Sequence, residues 1–146
     1  MTHPLIEDTQ EWFEKANHDL ITAKAAKGVK VYDTAIFHCQ QAAEKAVKGF
    51  LTYHDIKFEK DHNIVKHLKK AIAIEGSFEL WEEAGRVLSP YAVMIRYPGN
   101  IVEVSPKAFA VAYRYAKGIY DHALSVLPKV VRPKRPPKKR RSKNGR

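Results

Sequence analysis

The chain has 146 residues, of which 45% are hydrophobic and 29% charged, and carries a net charge of +10; this is the size and composition of one globular domain. Its single cysteine, Cys39, excludes an intramolecular disulfide framework and a Cys-rich zinc or iron–sulfur site. No apolar run approaches the roughly 18 residues of a membrane span, and the first residues, with Glu7 and Asp8 and no apolar stretch, do not read as a secretory signal, so the expected compartment is the cytoplasm.

Helical periodicity runs through almost the whole chain; residues 101–104 are the one short candidate for a strand. A first helix is expected over about 9–27. Asp8 with Glu11 resembles a capping box, Trp12, Ala16, Leu20 and Ala23 form the apolar stripe, and Gly28 is the stop. A second is expected over about 33–53, with Ile36, Cys39, Ala43, Val47 and Phe50 inward and alanines that let a neighbour approach closely. A third covers about 62–74, with Ile64, Leu68, Ala71 and Ile72 inward and Gly76 as its stop. A fourth begins near Ser77 with Leu80, Trp81, Ala84, Val87 and Leu88, is interrupted at Pro90, and resumes over about 91–97. The last starts at Ser105 as N-cap with Pro106 in the first helical position, and continues to about 128. Four to six amphipathic helices with short connections imply an all-α fold, an antiparallel up-and-down bundle. A thin bundle of this kind has more Trp, Phe and Tyr than its inner face can hide, which is the ground for expecting a dimer.

The charge is not evenly placed. Residues 1–128 hold 16 Lys+Arg and 16 Asp+Glu, whereas residues 129–146 hold ten Lys+Arg and no acid. The expected organisation is a neutral helical domain over 1–128 and a basic, Pro-rich tail over 129–146 that is disordered in isolation. Arg132, Lys134, Arg135, Lys138, Lys139, Arg140 and Arg141 give that tail the means to follow a phosphate backbone. The tail has no aromatic residue, so it would not read bases. A solubilising extension without a partner is the competing reading.

Seven histidines raise the question of a metal. There is no HExxH, no Glu-x-x-His pair recurring on two helices, and His62 and His67 are five apart and diverge on a helix. No metal and no cofactor is expected. A glycine-rich phosphate cradle and a nucleophile elbow are both absent, and Cys39 sits on an apolar stripe, where a small buried hydrophobe is the ordinary role. Two segments stand out. On the less apolar side of the second helix lie Gln41, Glu44, Lys45 and Lys48. There Glu44 and Lys48 can pair across a turn as a solvated face, or Gln41 and Lys45 can line a groove with the fourth helix. In Arg96-Tyr97-Pro98 a guanidinium able to clamp phosphate stands beside a ring able to stack on a base; the alternative is that Arg96 satisfies helix-end carbonyls.

Taken in order, Trp12 with Ala16-x-x-Asp19-Leu20, then Tyr32-x-x-Ala35-x-Phe37-x-x-Gln40-Gln41-Ala42-Ala43-Glu44-Lys45-Ala46-x-Lys48, then Lys60-x-His62, then Tyr91-x-x-x-x-Arg96-Tyr97-Pro98 resemble the HEPN domain. The resemblance implies a helical bundle that dimerises and that pairs with a minimal nucleotidyltransferase, often as toxin and antitoxin. Some members of that family are metal-independent RNases that use an Arg followed, after four to six residues, by a His. Here Arg86 and Arg96 have no such His, and His122 follows Arg114 one residue too late; on a helix one residue turns a side chain by about 100°. The expectation is therefore a non-catalytic binding module, a homodimer, whose polar groove holds a nucleotide or a nucleotidyltransferase partner. Gln41, Lys45, His62, Arg96 and Tyr97 would line the groove, with Arg96 on phosphate, Tyr97 stacking, Lys45 adding charge, and His62 capping the third helix or donating to the ligand. The alternatives are an RNase toxin acting through Arg96 and a nearby His, and a nucleic-acid-associated protein that binds through its tail.

Overall fold

The structure, a computed structural model, describes residues 4–94 and 104–133. Among these residues every regular element is a helix: α1 Pro4–Gly28, α2 Tyr32–Tyr53, α3 Ile64–Ile74, a 3₁₀ turn Gly76–Trp81, α4 Glu82–Leu88, α5 Tyr91–Met94, α6 Pro106–Ser125 and a closing 3₁₀ turn Lys129–Val131. The expected all-α bundle is present. Residues 95–103, with most of the strand candidate and the continuation of the helix towards Tyr97, lie outside the described residues, as do residues 134–146.

The α1–α2 hairpin is the most extensive helix pair, and α6 packs on α2. Phe13 lies against Gly49, while Asp19 meets His38 and Lys45, so the two helices run antiparallel. Their close approach follows from side-chain size. Ala35, Ala42, Ala43 and Ala46 are fully buried, and a Cβ on Gly49 would stand 2.8 Å from the Phe13 ring. On the other side of α1, Lys24 lies over the Tyr113 ring and Phe13 against Tyr120, so α6 also runs antiparallel to α1. Phe13, Phe50, Phe78, Ile36, Leu68 and Ile119 fill the centre.

Several boundaries differ from the sequence reading, each for a local reason. Helix α1 begins at Pro4 rather than near Thr9, because Ile6 extends the apolar stripe onto the core and Thr9 is itself fully buried. Phe13, not Trp12, is its central aromatic. After Gly28 the left-handed residue of the turn is Lys30, at φ 61°. Helix α3 is capped by Asn63, whose side chain accepts from the Val65 amide at 3.0 Å, so His62 is not the cap. The expected fourth helix is split. Residues Gly76–Trp81 form a 3₁₀ turn, which repeats every three residues, and so Phe78 and Trp81 turn onto the core while Leu80 is 80% exposed. The start of α6 is as expected: Ser105 Oγ accepts from the Ala108 amide at 3.0 Å and Pro106 opens the helix.

Packing on the bundle continues a few residues past Pro128. Val131 is completely buried, Gln10 donates to the Val130 carbonyl at 2.5 Å, and the turn Lys129–Val131 packs on α1. The reading missed this because Val130-Val131 is too short an apolar run to stand out beside the basic residues around it.

Candidate functional site

Helix α2 carries a ladder of polar side chains at helical spacing, and most of it is buried. At one end Asp19 of α1, with a side chain 9% exposed, accepts from His38 Nδ1 at 2.8 Å on one oxygen and from Lys45 Nζ at 2.6 Å on the other. In the middle, Gln41 donates to Gln40 Oε1 at 2.6 Å, and the fully buried Gln40 donates to the backbone carbonyl of His62 at 3.0 Å. At the other end the Glu44 side chain, 4% exposed, meets His62 Nδ1 at 3.0 Å and lies 3.6 Å from Lys48 Nζ. The Lys48 ammonium also stands over the rings of Trp12 and Phe58, at 5.8 and 5.6 Å. Two carboxylates and the Lys48 ammonium are thus buried, with Lys45 half-buried beside Asp19, and each carboxylate has a cationic partner, as burial of charge requires.

This corrects the solvated-face reading of Glu44 and Lys48. The turn at residues 59–63 and helix α1 cover that side of α2. The turn itself is held from three elements. His67 Nε2 donates to the Asp61 carbonyl at 2.7 Å, Ser89 Oγ accepts from the Ile64 amide at 3.0 Å, and Gln40 holds the His62 carbonyl. Asp61 accepts from the Asn63 amide at 2.9 Å and from Lys66 Nζ at 2.8 Å. The Lys66 hydrogen bond, first, and that amide hold its carboxyl below the usual aspartate range.

The His62 ring is fixed at Nδ1 by a buried carboxylate, yet its side chain is 55% exposed. It stands at the edge of an open cleft of about 610 Å³ between the 60–65 segment and the α4–α5 corner, whose lining includes Lys60, Asp61, His62, Arg86, Ser89 and Val93. Arg86 is paired with Glu82 and Glu83 on its own helix. The groove with the fourth helix therefore exists, but Gln41 and Lys45 are not among its lining residues; they face Gln40 and Asp19 instead.

Of the five expected groove residues, Gln41 and His62 are joined through Gln40, which accepts from Gln41 and donates to the His62 carbonyl, whereas Lys45 belongs to a separate set held by Asp19. Arg96 and Tyr97 lie outside the described residues. Asp19, His38, Gln40, Glu44 and Lys48 were not counted among the groove residues. A signal for Asp19 was present: it sits within the Ala16–Leu20–Ala23 stripe, where an unpaired carboxylate would be costly. Among the described residues no group of three or more His, Cys, Asp or Glu could hold a metal ion. Burial pushes the Cys39 thiol up to about 12, which suits an inert core residue. No described helix is long and apolar enough to cross a membrane.

An all-helical bundle built on a tight α1–α2 hairpin, with a charged seam along α2 and a carboxylate-held histidine at a cleft, defines the class of protein. The chain belongs to the HEPN domain family, which its sequence matches over residues 9–127. Two solved structures share the fold. The crystal structure of TT1696 from Thermus thermophilus is 26% identical, covers 82% of this chain and 98% of its own, and superposes with a TM-score of 0.72. The structure of ST0689, an archaeal HEPN homologue, is also 26% identical, covers 80% of this chain and 95% of its own, and gives a TM-score of 0.65. No curated protein matches the chain.

Proposed function

We propose that this HEPN chain is a non-catalytic binding module, homodimeric, that receives a nucleotide or the nucleotide-bearing face of a minimal nucleotidyltransferase partner in a toxin–antitoxin-like pair. The observation that carries this reading is the His62 ring, oriented by buried Glu44 and presented at the rim of the cleft beside Lys60. A fixed imidazole and a nearby ammonium suit phosphate oxygens. Val93 also lines the cleft, and Arg96 and Tyr97 follow it by three and four residues, a reach of roughly 10–14 Å. Arg96 is assigned to phosphate and Tyr97 to the base. Lys45 holds Asp19 in the seam between α1 and α2. The absence of an Arg with a His four to six residues further on supports a module that binds rather than cleaves.

Calorimetric titration with nucleoside mono- and triphosphates tests this. Binding should weaken about tenfold or more in His62→Ala and Arg96→Ala, the loss expected of a hydrogen bond to a charged group. Failure to bind any nucleotide, together with failure to co-purify with a co-expressed nucleotidyltransferase encoded beside it, would overturn the reading.

The same His62–Glu44 pair supports a second reading, an RNase, because a carboxylate-oriented imidazole is a competent general base. RNA cleavage by the purified chain, lost in both Arg96→Ala and His62→Ala with the helical fold intact, would replace the binding module with this reading.

The expected dimer needs a different ground from the one first given. Every described Trp, Phe and Tyr is buried or half-buried within the single chain. The exposed large apolar side chains are aliphatic, among them Ile21, Val29, Val31, Leu80, Val93 and Val104. Light scattering should return twice the chain mass; a monomer at every concentration would refute the dimer.

A further inference from the structure

Three helix ends meet at one pole of the bundle. Helix α1 runs antiparallel to both α2 and α6, and Lys24 lies over the Tyr113 ring, so the C-terminus of α1 stands beside the N-termini of the other two. Charge at this pole is one-sided. Residues 20–32 hold three lysines and no acid, and residues 104–120 hold two lysines, an arginine and no acid. Of the acids that border them, Asp19 is buried against His38 and Lys45, Asp121 pairs with Lys117, and Asp33 accepts from the Thr34 amide at 2.8 Å, while Glu103 lies outside the described residues. The N-termini of α2 and α6 add positive partial charge. Exposed among these cations are Val29, Val31 and Val104, with Val29 the most open at 72%. The turn between α1 and α2 is not the one that chain reversal alone favours. The Val31 amide donates to the Ala26 carbonyl and the Lys30 amide to the Lys27 carbonyl, both at 2.9 Å, the paired bonds of a Schellman close. Its left-handed position, ordinarily a glycine, is Lys30 at φ 61°. Helix α2 then starts from Val31, which cannot cap, where Ser, Thr, Asp or Asn is ordinary. Two positions thus give up local stability and send their side chains to solvent, the pattern of a surface kept for contact.

We infer that this pole, residues 27–31 with Val104 and Lys107, is a docking surface for an anionic lipid membrane. The valines enter the boundary between headgroups and acyl chains, and the lysines meet the lipid phosphates and carboxylates. The contact is with the membrane surface, in keeping with helices that do not cross it. Charge and apolarity have to be taken together to choose the occupant. A nucleic-acid strand would use the lysines and leave the valines in water, and Tyr32 and Tyr113 are half-buried rather than presented to stack on a base. The centre of a protein interface favours aromatic residues and Arg and is depleted in Lys, the reverse of this pole. A second copy joined symmetrically through the same surface would set lysine against lysine. That leaves Ile21 and Leu80, away from the pole, for self-association. The inference is independent of the cleft and stands whether or not His62 and Arg96 hold a nucleotide.

Total binding does not isolate the pole, because residues 129–146 carry ten further cations, so the readout has to be local. Full-length chain with Val29→Cys is labelled with an environment-sensitive dye; the native thiol, Cys39, is buried. It is mixed with vesicles of phosphatidylserine and phosphatidylcholine, with vesicles of phosphatidylcholine alone, and with a uridine oligomer. The emission should shift to the blue, and be quenched by nitroxide-bearing lipid, on the phosphatidylserine vesicles only. The same dye at Glu7→Cys, at the opposite pole, should stay in water. Val31→Ser with Val104→Ser, and separately Lys27→Gln with Lys107→Gln, should each raise the lipid concentration that gives half the shift by about tenfold. Lys30→Gly restores the ordinary residue of the turn. It should raise the thermal midpoint by about 2 °C or more and still raise that lipid concentration about fivefold. A dye that does not shift on phosphatidylserine vesicles would overturn the proposal, and so would a shift indifferent to the valine and lysine substitutions. A shift produced by the oligomer instead would make the pole a nucleic-acid surface. One produced by protein concentration alone would make it a contact between copies, and either result replaces the lipid assignment. Nucleotide binding at the cleft should survive all of these substitutions, so the two proposals fail separately.

Discussion

Glu44 is the residue on which the seam depends, because it meets a ring and an ammonium from a position almost without water. Removing it would leave the Lys48 ammonium, whose side chain is 10% exposed, with only two aromatic faces for company. Breaking a buried pair from one side typically costs about 3 kcal/mol or more, far beyond the worth of a surface ion pair. Glu44→Ala is expected to lower the unfolding free energy by about 3 kcal/mol, while the double variant Glu44→Ala with Lys48→Met recovers at least half of it. Urea unfolding of the two single variants and the double variant measures this. Additive effects would show that the two groups do not communicate. Cys39 gives a simpler check. Its raised thiol pKa and complete burial predict no reaction with a disulfide reagent at neutral pH until the chain unfolds. Prompt labelling of the native protein would contradict the fold around α2.

At the scale of elements, the joint between the 3₁₀ turn Gly76–Trp81 and α6 is the tightest. A Cβ on Gly118 would stand 2.2 and 2.3 Å from two ring carbons of Trp81, so the indole lies directly on the α6 backbone. Its Nε1 is buried and finds no hydrogen-bond partner among the described residues, which makes packing the ring's contribution here. Gly118→Ala is expected to cost about 1–3 kcal/mol, the usual range for overpacking, and a smaller side chain in Trp81→Leu should reverse part of the loss. Thermal unfolding of the pair tests both. This joint also shows where sequence reasoning stops. Apolar residues at a period of 3.6 marked α2, α3 and α6, and the Ser105-Pro106 start of α6 was visible because cap chemistry is local. Six residues cannot distinguish a period of 3.0 from 3.6, so Leu80 was read as inward in place of Phe78. The charged ladder was visible in part, since Gln41, Lys45 and His62 were singled out. Its burial was not, because it depends on a turn 18 residues away from Glu44 folding over α2. Asp19 stood out only as a carboxylate within an apolar stripe, and its partners on α2, like the carbonyl that Gln40 holds, became recognisable once the hairpin and that turn were in place.

For the molecule as a whole, one buried and one half-buried histidine link the core to pH. His67 is 1% exposed and donates to the Asp61 carbonyl; burial, with Lys48 nearby, holds it below the usual histidine value of 6.5, against the opposing pull of that hydrogen bond, Glu44 and Asp61. His122 packs edge-on against Phe78 with a ring separation of 4.8 Å and meets Ser77 Oγ at 2.9 Å; burial again lowers it, and Glu75 opposes the shift. One histidine fastens the turn beside the cleft and the other fastens the 3₁₀ turn to α6, so both sides of the bundle share the dependence. The unfolded chain takes up these protons near 6.5, while the folded chain resists until a lower pH. In that window the unfolded state binds more protons, so stability rises with pH and falls on acidification. Full stability is expected above about 6.5, with a progressive loss as pH drops through the folded values. Asp61 is held below 3.8, so its own contribution disappears only in stronger acid and does not blur the histidine window. Thermal midpoints at constant ionic strength should therefore decline from pH 7 towards pH 5. His67→Gln, which keeps a donor for the Asp61 carbonyl and removes the titrating ring, should flatten that decline even where it lowers the midpoint overall. A profile that is flat in the unaltered protein, or that rises as pH falls, would mean that neither imidazole is held neutral by the fold.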